Sequence, residues 1–313
     1  MAMKVQLKNI ICTTDFSEIS NQAVVFGVAL AKELGAKLYL CHVIDLSTVA
    51  MYGEGFSDPL GQERRTTNYA YEHLRGLIDD PSIEWEALTP MGHTADEIAH
   101  AAEEKNADLV ISATHGRSGL KRFVLGSVTE RLMRTLPCPL FVVRGLERDY
   151  TADVNENLGF HSILVGCDFS SDSALAFQYG LSLAQEFQSE VHLAHVIEPA
   201  VYKDLLKPAK EEKEDLQQDL RKKLREKLTG MVPEEADNWC TPKTALLAGH
   251  PHEELTKYAV VHDIDLIVLG VRGHSLVETL FVGSTTDRVV RQAPCPVLSV
   301  RATANSVKEE PGT

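Results

Sequence analysis

The chain lacks long hydrophobic runs, and its beginning lacks the features of a targeting segment. No apolar run approaches the roughly 20 residues that a membrane-spanning helix needs. Residues 1–4 are not followed by the apolar stretch of a secretory signal peptide. These two absences predict a cytoplasmic protein that has no membrane partner.

Paired cysteines and an excess of positive charge are also missing. The six cysteines form no C-x-x-C spacing, which argues against a zinc site and against a disulfide framework, so we expect no bound metal and reduced, buried thiols. The net charge of −14 argues against a nucleic acid partner, because the phosphate backbone is bound by concentrated lysine and arginine. A small anionic ligand remains compatible with this charge if a local loop supplies the hydrogen-bond donors.

What the chain does contain is the same pattern twice. The repeated motifs are D-F-S at 15–17 and 168–170, G-S at 126–127 and 283–284, and P-C-P at 137–139 and 294–296. The offset is 153 residues near the start of each half and 157 residues later, so the second half carries a net insertion of four residues. This period is too long for a solenoid repeat, and 313 residues suit two domains, each with its own core.

Composition along the chain predicts where the two domains end. We expect domain 1 over residues 1–146 and domain 2 over residues 159–302. Residues 147–158 are polar and are predicted to be the linker, and residues 303–313 are predicted to be a disordered tail.

Within each half, short apolar runs alternate with stretches of helical periodicity. The runs lack polar alternation, which indicates strands that are buried on both faces of a parallel sheet covered by helices. We therefore predict two tandem doubly wound α/β domains, each with a five-stranded parallel sheet and helices on both faces. The predicted strands of domain 1 are 10–13, 38–43, 85–88, 109–111 and 140–143, and those of domain 2 are 163–165, 191–196, 243–247, 266–269 and 297–300.

The two halves differ most between their second and third strands. Residues 204–230 are rich in lysine and glutamate with leucine every fourth residue, which predicts a helix that lies on the sheet with a solvated charged face. The corresponding residues 46–63 contain several glycines, which favours an irregular loop before a helix near residues 69–78.

Residues suited to ligand binding follow the first and fourth predicted strands, where a doubly wound sheet opens a crevice. The first strand of each half ends at Asp15 or Asp168. The fourth strand continues into residues 113–116 or 270–273, and a G-S pair opens the next helix after nine further residues. A helix N-terminus offers unpaired N–H groups and the positive end of a dipole, so this arrangement favours a phosphate ligand.

The spacing G-x-x-G, nine residues, then G-[ST] resembles that of the ATP-binding members of the universal stress protein family. Domain 2 matches it completely, at Gly270, Gly273, Gly283 and Ser284. Domain 1 matches it at Gly116, Gly126 and Ser127, but has Ala113 in place of the first glycine. The resemblance covers nearly all of both halves.

The resemblance implies an adenine nucleotide alpha hydrolase-like fold and a set of ligand contacts. It implies that Asp15 and Asp168 contact the adenosine part of the nucleotide, and that the backbones of Val43 and Val196 contact the adenine. The glycine loops with Ser127 and Ser284 would hold the phosphates. The implied ligand is ATP, with or without magnesium, and AMP or ADP stays open.

Several of these residues also have a purely structural interpretation. Ser127 and Ser284 can cap their helices, and Ser127 forms a capping-box pattern with Glu130. Asp15 and Asp168 can act as turn residues. The methyl group of Ala113 is harmless where the backbone has negative φ and costly where φ is positive or a phosphate touches the chain.

Charged loop residues and histidines leave further alternatives open. The cations near the loops either contact phosphate or are solvated; they are Arg117, Lys121, Arg122 and Arg272. His93, His250 and His252 are interpreted as residues of turns and helix starts, because two histidines without a third ligand do not make a metal site.

No catalytic residue is predicted. A Walker lysine loop, a D-F-G motif and a metal-holding carboxylate pair are absent from the sequence, so it lacks the groups that fast phosphoryl transfer uses. The favoured function is a nucleotide-dependent regulator of a stress response. The alternatives are a weak ATPase or autophosphorylating protein and a nucleotide-free scaffold. We also expect the two halves to pair pseudo-symmetrically through strands 140–143 and 297–300, or the chain to form a homodimer.

Overall fold

A computed structural model describes residues 5–45, 59–114, 125–145, 159–199, 210–273 and 282–302. The chain forms two compact units, Gln6–Leu158 and Gly159–Thr313, the second of which includes Met1–Val5. The predicted linker, the C-terminal tail and Gly116 lie outside the described residues. The domain limits and the pairing of the halves stay predictions.

The first unit contains a parallel sheet with the strand order β3-β2-β1-β4-β5. Its strands are β1 (Asn9–Thr13), β2 (Lys37–Cys41), β3 (Trp85–Leu88), β4 (Leu109–Ala113) and β5 (Leu140–Val143). Its helices are α1 (Glu18–Leu34), α2 (Pro59–Arg75), α3 (Thr94–Glu104) and α4 (Ser127–Thr135).

The second unit repeats this arrangement with the strand order β8-β7-β6-β9-β10. Its strands are β6 (Ser162–Gly166), β7 (Glu190–Ile197), β8 (Thr241–Ala248), β9 (Leu266–Gly270) and β10 (Val297–Val300). Its helices are α5 (Ser171–Phe187), α6 (Lys210–Thr229), α7 (Pro251–Val261) and α8 (Ser284–Gln292), with a 3-10 helix at Glu234–Asn238.

The predicted fold class is confirmed by these two parallel sheets. The strands are the apolar runs of the sequence, and every residue of β4, β5 and β10 is buried. The edge strands β3 and β8 are only partly covered. In each unit the chain moves outward from the first strand and then crosses to its other side, so the topological switch lies between β1 and β4 and between β6 and β9.

The segment before the third strand of domain 1 departs from the prediction. Helix α2 begins at Pro59, ten residues earlier than the predicted start, and ends at Arg75. Its glycine at position 61 favoured a loop, but proline is well suited to the first position of a helix because its φ is already helical and its missing N–H has no helical partner. The rest of the predicted irregular loop lies outside the described residues.

All six cysteines are free thiols. Burial raises the pKa of Cys41 and of Cys138 to about 12, so both thiols stay protonated at neutral pH. They behave as small apolar side chains of the core. In the part of the chain that the structure describes, no helix combines the length and the apolar character needed to cross a bilayer.

Candidate functional site

In the second half, the turn that follows β6 is fixed by Asp168. Its Oδ1 accepts hydrogen bonds from the backbone N–H of Ser170 at 3.0 Å and from the Ser170 hydroxyl at 2.5 Å. Phe169, between them, has φ of 64°, in the left-handed region. That conformation costs about 1–2 kcal/mol in a residue with a Cβ. Such strain persists where the surroundings determine the backbone, which is common at binding sites.

The first half has the same turn. Asp15 Oδ1 accepts a hydrogen bond from the N–H of Ser17 at 3.1 Å, and Phe16 has φ of 65°. Ser17 caps α1 by accepting from the N–H of Ser20, as Ser170 caps α5. Both aspartates therefore act as turn residues, and each does so by accepting a hydrogen bond at Oδ1. A carboxylate has about four acceptor positions, so this role is compatible with ligand binding.

A histidine at the end of the second strand in each half bonds to the chain just before the aspartate. His42 Nδ1 lies 2.8 Å from the carbonyl of Thr14, and His195 Nδ1 lies 2.7 Å from the carbonyl of Cys167. Since a carbonyl only accepts, Nδ1 carries the proton in both rings. Each ring packs on the phenylalanine of its turn, with centroid distances of 4.3 and 4.6 Å. Burial lowers the pKa of His195, which favours the neutral ring.

In each half, the helix that precedes the third strand lies beside the turn. The side chain that this helix places next to the turn phenylalanine differs between the two halves. Lys227 of α6 places Nζ 4.1 Å from the centroid of the Phe169 ring. In the first half, His73 of α2 lies 5.4 Å from Phe16 and 3.9 Å from Tyr69, measured between ring centroids. One crevice therefore has a cation beside its turn and the other has an aromatic cluster.

The backbones of the two predicted adenine contacts face the crevice. Cys167 donates its N–H to the carbonyl of Ala194, and the β6–β7 ladder ends at this point. Val196 lies two residues after Ala194, so its backbone polar groups are directed to the same side, past the end of β6. Val43 has the corresponding place two residues after Cys41.

The glycine loop of the second half brings three predicted site residues together. The N–H of Gly283 donates to the carbonyl of Val271 at 2.8 Å. A Cβ at Gly283 would lie 3.2 Å from that carbonyl and 3.9 Å from the backbone N of Gly273. A Cβ at Gly273 would lie 2.7 Å from Asp168 Oδ2. The loop thus passes so close to the aspartate and to the start of α8 that a side chain at Gly273 or Gly283 would require its neighbours to shift.

The first half has the same backbone connection. The N–H of Thr114 donates to the carbonyl of Val143 at 2.9 Å, and the N–H of Gly126 donates to the carbonyl of Thr114 at 2.8 Å. A Cβ at Gly126 would lie 2.9 Å from that carbonyl. The contact that Gly116 would make lies outside the described residues.

The two predicted serines are the first residues of their helices and not the caps. The N-cap of α4 is Gly126 and that of α8 is Gly283, with φ of −64° and −60°, and neither helix has a side-chain cap. Ser127 and Ser284 are both exposed. The capping interpretation is therefore wrong, because a glycine occupies the cap position. The N–H groups of these helix starts are directed outward, with no cap from a side chain.

Acidic residues in the first turns of these helices are engaged with arginines. Glu130 accepts a hydrogen bond from Arg134 at 2.5 Å, and Asp287 accepts from Arg291 at 2.9 and 2.8 Å. The predicted capping box of Ser127 with Glu130 is not formed, because Gly126 occupies the cap position. Pairing with a cation reduces the repulsion that these carboxylates would exert on an anion at the helix start.

Two threonines that the sequence reasoning missed attach these helices to the sheet. Thr129 Oγ1 donates to the carbonyl of Ala113 at 2.8 Å, and Thr286 Oγ1 donates to the carbonyl of Gly270 at 2.7 Å. Both threonines are buried. The signal was present in the sequence, since both halves read G-S-x-T at this point.

The difference between Gly270 and Ala113 concerns helix packing. Gly270 is not among the residues with positive φ, and a Cβ there would lie 2.8 Å from Asp172 Cβ and from the backbone N of Ser173, at the start of α5. Ala113 has the corresponding register position beside β5 and is buried. Because Ala113 has the place of Gly270, its methyl group is directed toward the first helix, and since its φ is not positive the harmless case of the prediction applies to the backbone.

Arg272 forms an ion pair and is not a solvated loop charge. Its Nε and Nη2 lie 3.1 and 3.0 Å from the carboxylate of Asp172, which is 2% exposed. Nη2 also donates to the carbonyl of Ala302 at 2.5 Å. The other three predicted cations, Arg117, Lys121 and Arg122, lie outside the described residues.

The histidines considered for a metal begin helices. His93 and His250 are the N-cap residues of α3 and α7, and the ring of His252 lies 6.3 Å from that of His250. Within the described ranges, no group of three or more His, Cys, Asp or Glu side chains is arranged to hold a metal ion.

Known proteins are similar to a part of the chain that is about the length of one half. A universal stress protein of Thermus aquaticus is 35% identical over 149 residues, which is 45% of this chain and 99% of the relative. A universal stress protein of Methanocaldococcus jannaschii is 33% identical over 142 residues, which is 44% of this chain and 82% of the relative.

Similarity in structure extends over nearly the whole chain. The crystal structure of a universal stress protein from Archaeoglobus fulgidus covers 95% of this chain and 99% of its own, with a TM-score of 0.68 and 24% identity. The sequence profile of the universal stress protein family matches twice, at residues 6–144 and 159–301. The chain belongs to the universal stress protein family, with two family domains in tandem.

Proposed function

We propose that this protein binds ATP, or a related adenine nucleotide, in both halves, and that occupancy regulates its partners in a stress response. The observation that carries the proposal is the position of Gly273, which lies between the Asp168 carboxylate and Gly283 at the uncapped start of α8. A phosphate at a helix start is stabilised by free N–H groups and by the helix dipole.

In the second half, we assign each part of the ligand to a different element. The adenine would lie against the backbone of Val196, and the Asp168 carboxylate would accept hydrogen bonds from the adenosine part. The phosphates would lie over Gly270 and Gly273 and against the N–H groups that follow Gly283, with the exposed hydroxyl of Ser284 beside them. Magnesium would then be bound by phosphate oxygens, because it usually keeps few protein ligands.

In the first half, the corresponding residues would act in the same way. They are Asp15, Val43, Gly126 and Ser127, together with Gly116, whose position lies outside the described residues. Two features favour binding here: the positive-φ turn is the same, and the Gly126 amide bonds to the fourth strand as in the second half. The buried methyl of Ala113 is directed toward the first helix and leaves the crevice open.

Binding and regulation are proposed rather than catalysis. The acids at the helix starts are paired with arginines, and the chemical parts of rapid phosphoryl transfer are not found in the sequence. The free thiols agree with the proposed cytoplasmic location, where reduced cysteines persist. AMP or ADP would bind through the same adenosine contacts with fewer phosphate contacts.

The experiment is calorimetric titration of nucleotide-stripped protein with Mg-ATP. We expect two sites per chain. Gly283→Val and Gly126→Val each add a branched side chain within about 3 Å of a backbone carbonyl and beside the helix-start N–H groups, so each should abolish one site. Gly159→Val is the matched control, because a Cβ there has no neighbour closer than 3.5 Å.

The outcomes separate the alternatives. Two sites in the control and one in each loop variant support the proposal. One site in the wild type that only Gly283→Val removes limits it to the second half. Absence of heat and of competition at millimolar ATP overturns it and favours the scaffold.

A further inference from the structure

We propose that Asp172 and Arg272 are positioning residues that hold the second glycine loop in its binding conformation, and that the first half lacks this device. The inference rests on the proposed nucleotide site, but its structural part can be measured without nucleotide. It explains why two halves with matching motifs should differ in affinity.

The pair consists of a buried carboxylate with four hydrogen bonds. Asp172 Oδ2 accepts from the backbone N–H of Arg272 at 2.9 Å and from its Nε at 3.1 Å. Oδ1 accepts from Arg272 Nη2 at 3.0 Å and from the backbone N–H of Ala302 at 3.1 Å. Asp172 also lies in the first turn of α5, where the helix dipole favours a negative charge. A carboxylate that is 2% exposed is tolerated because these partners replace water.

The contact links three elements that form the site. Asp172 belongs to α5, Arg272 lies between Gly270 and Gly273, and Ala302 follows β10. The bond to the N–H of Arg272 fixes the peptide plane between Val271 and Arg272, one peptide before that of Gly273. Because Gly273 lies against Asp168, fixing the chain just before it restricts how the loop approaches that carboxylate.

Gly270 makes this contact sterically possible. A Cβ at position 270 would lie 2.8 Å from the Cβ of Asp172, so a larger residue would displace the start of α5 and with it the carboxylate. The first glycine of the motif therefore allows the close approach of α5 to β9 on which the ion pair depends in this chain. This assignment also accounts for Ala113, since the first half has no such pair to accommodate.

The first half fills the same place with apolar atoms. The residue that corresponds to Asp172 is Ile19, and the one that corresponds to Ala302 is Gly145. A Cβ at Gly145 would lie 3.2 Å from Ile19 Cδ1, so the isoleucine packs where the ion pair lies in the second half. Apolar packing has no direction and leaves the orientation of individual peptide planes less restricted.

Arg272 acts through the loop and not on the ligand. Its guanidinium is directed to Asp172 and to the carbonyl of Ala302, and a phosphate could recruit it only by breaking the pair. Its removal should therefore change the conformational freedom of the loop even when no nucleotide is present.

The test uses the full chain with Gly126→Val, so that only the second site is titrated. The double variant Asp172→Ile with Arg272→His introduces the residues found at positions 19 and 115 and removes both charges together, which avoids leaving one charge unpaired. We expect ATP affinity to fall about tenfold or more. A decrease of this size corresponds to the loss of one hydrogen bond to a charged group. Hydrogen exchange of the Arg272 and Gly273 amides in the ligand-free protein should accelerate by a similar factor.

A milder variant separates positioning from general stability. Arg272→Lys keeps the backbone bond to Asp172 and a positive charge but loses the bidentate contact of the guanidinium, so we expect a smaller loss of affinity and a smaller acceleration of exchange than in the double variant. Exchange at Thr114, in the first half, should be unchanged in both variants.

Each outcome decides the inference. Weaker ATP affinity together with faster exchange at Arg272 and Gly273 supports it. Unchanged affinity and exchange in the double variant overturn it, as does equal loss in Arg272→Lys. If the parent binds no ATP, the proposed function fails, and the exchange rates alone then decide whether the pair holds the loop.

Discussion

At the second position of the first helix, the two halves have side chains of opposite character. Asp172 is buried in an ion pair with Arg272, whereas Ile19 packs against Gly145. The turns before these helices nevertheless have the same conformation, with φ of 64° and 65° at the phenylalanine. The comparison teaches that backbone geometry was retained after duplication while the side chains that stabilise it diverged.

A second difference lies at the other end of the second strand. In the second half, His192 is buried and bonds through Nδ1 to the Tyr258 hydroxyl at 2.9 Å. The corresponding residue of the first half is Tyr39, beside which Lys37 and Lys105 lie at 5.0 and 5.7 Å from the ring centroid. Only the second half therefore has a buried imidazole at this position of the strand.

The largest effect should come from removing one charge of the ion pair. Asp172→Ala leaves Arg272 partly buried without its carboxylate, and we expect the second half to lose about 3 kcal/mol of unfolding free energy. Ile19→Ala, the matched change in the first half, should cost about 1–2 kcal/mol, because that side chain is only partly buried. Urea unfolding can be followed separately in each half, since Trp85 lies in the first and Trp239 in the second. Equal losses would contradict the comparison.

A smaller effect should come from exchanging the residues at the end of the fourth strand. Gly270→Ala places a methyl 2.8 Å from Asp172 Cβ, and we expect about 1–3 kcal/mol of destabilisation in the second half together with weaker ATP binding. Ala113→Gly should cost about 0.5–1 kcal/mol through backbone entropy and leave first-half affinity within twofold. Tryptophan fluorescence and calorimetry measure both. A gain of first-half affinity in Ala113→Gly would show that the missing glycine, and not the missing ion pair, limits that site.

The smallest effect is a difference in pH dependence. Burial lowers the pKa of His192, while Glu190 at 3.4 Å opposes this shift and Lys243 and His262 add to it. A lowered pKa in the folded state means that the stabilising contribution is complete above the unfolded pKa of about 6.5 and is lost as the pH falls below it.

We therefore expect the second half to lose stability between pH 7.5 and 5.5, and His192→Gln to reduce this loss. The measurement is urea unfolding followed by Trp239 fluorescence. His195 and His252 have lowered pKa values as well, so the loss should shrink without vanishing. His161→Gln is the control, because the side chain of His161 is 88% exposed. The same pH slope in wild type and His192→Gln would rule out this role.

Patterns that reflect backbone periodicity predicted much of the fold. Strands such as Leu140–Val143 have the predicted bounds, because apolar runs directly reflect burial. The start of α2 at Pro59 was missed because glycine content outweighed the proline signal. The G-S pairs were correctly predicted to open helices, but which residue caps each helix depends on φ and ψ, which the sequence did not reveal.

Contacts between distant residues could not be predicted from the sequence. Asp172 and Arg272 are 100 residues apart, and nothing in their local sequence pairs them. The approach of Gly273 to Asp168 likewise depends on how two loops meet at the end of the sheet. The contacts of Thr129 and Thr286 could have been predicted from the sequence. The G-S-x-T pattern occurs in both halves, and a repeated polar residue inside a repeated motif indicates a shared contact.

The histidine bond at the mouth of each crevice does not depend on the side chain of the residue that accepts it. His42 and His195 donate to main-chain oxygens, so the bond is indifferent to the side chain that the acceptor residue carries. Thr14 and Cys167 can therefore exchange a hydroxyl for a thiol without altering the spacing between the first and second strands. A hydrogen bond from an imidazole to a main-chain carbonyl keeps the two strands at the same distance. Substitution of the acceptor residue's side chain therefore leaves the width of the crevice mouth unchanged.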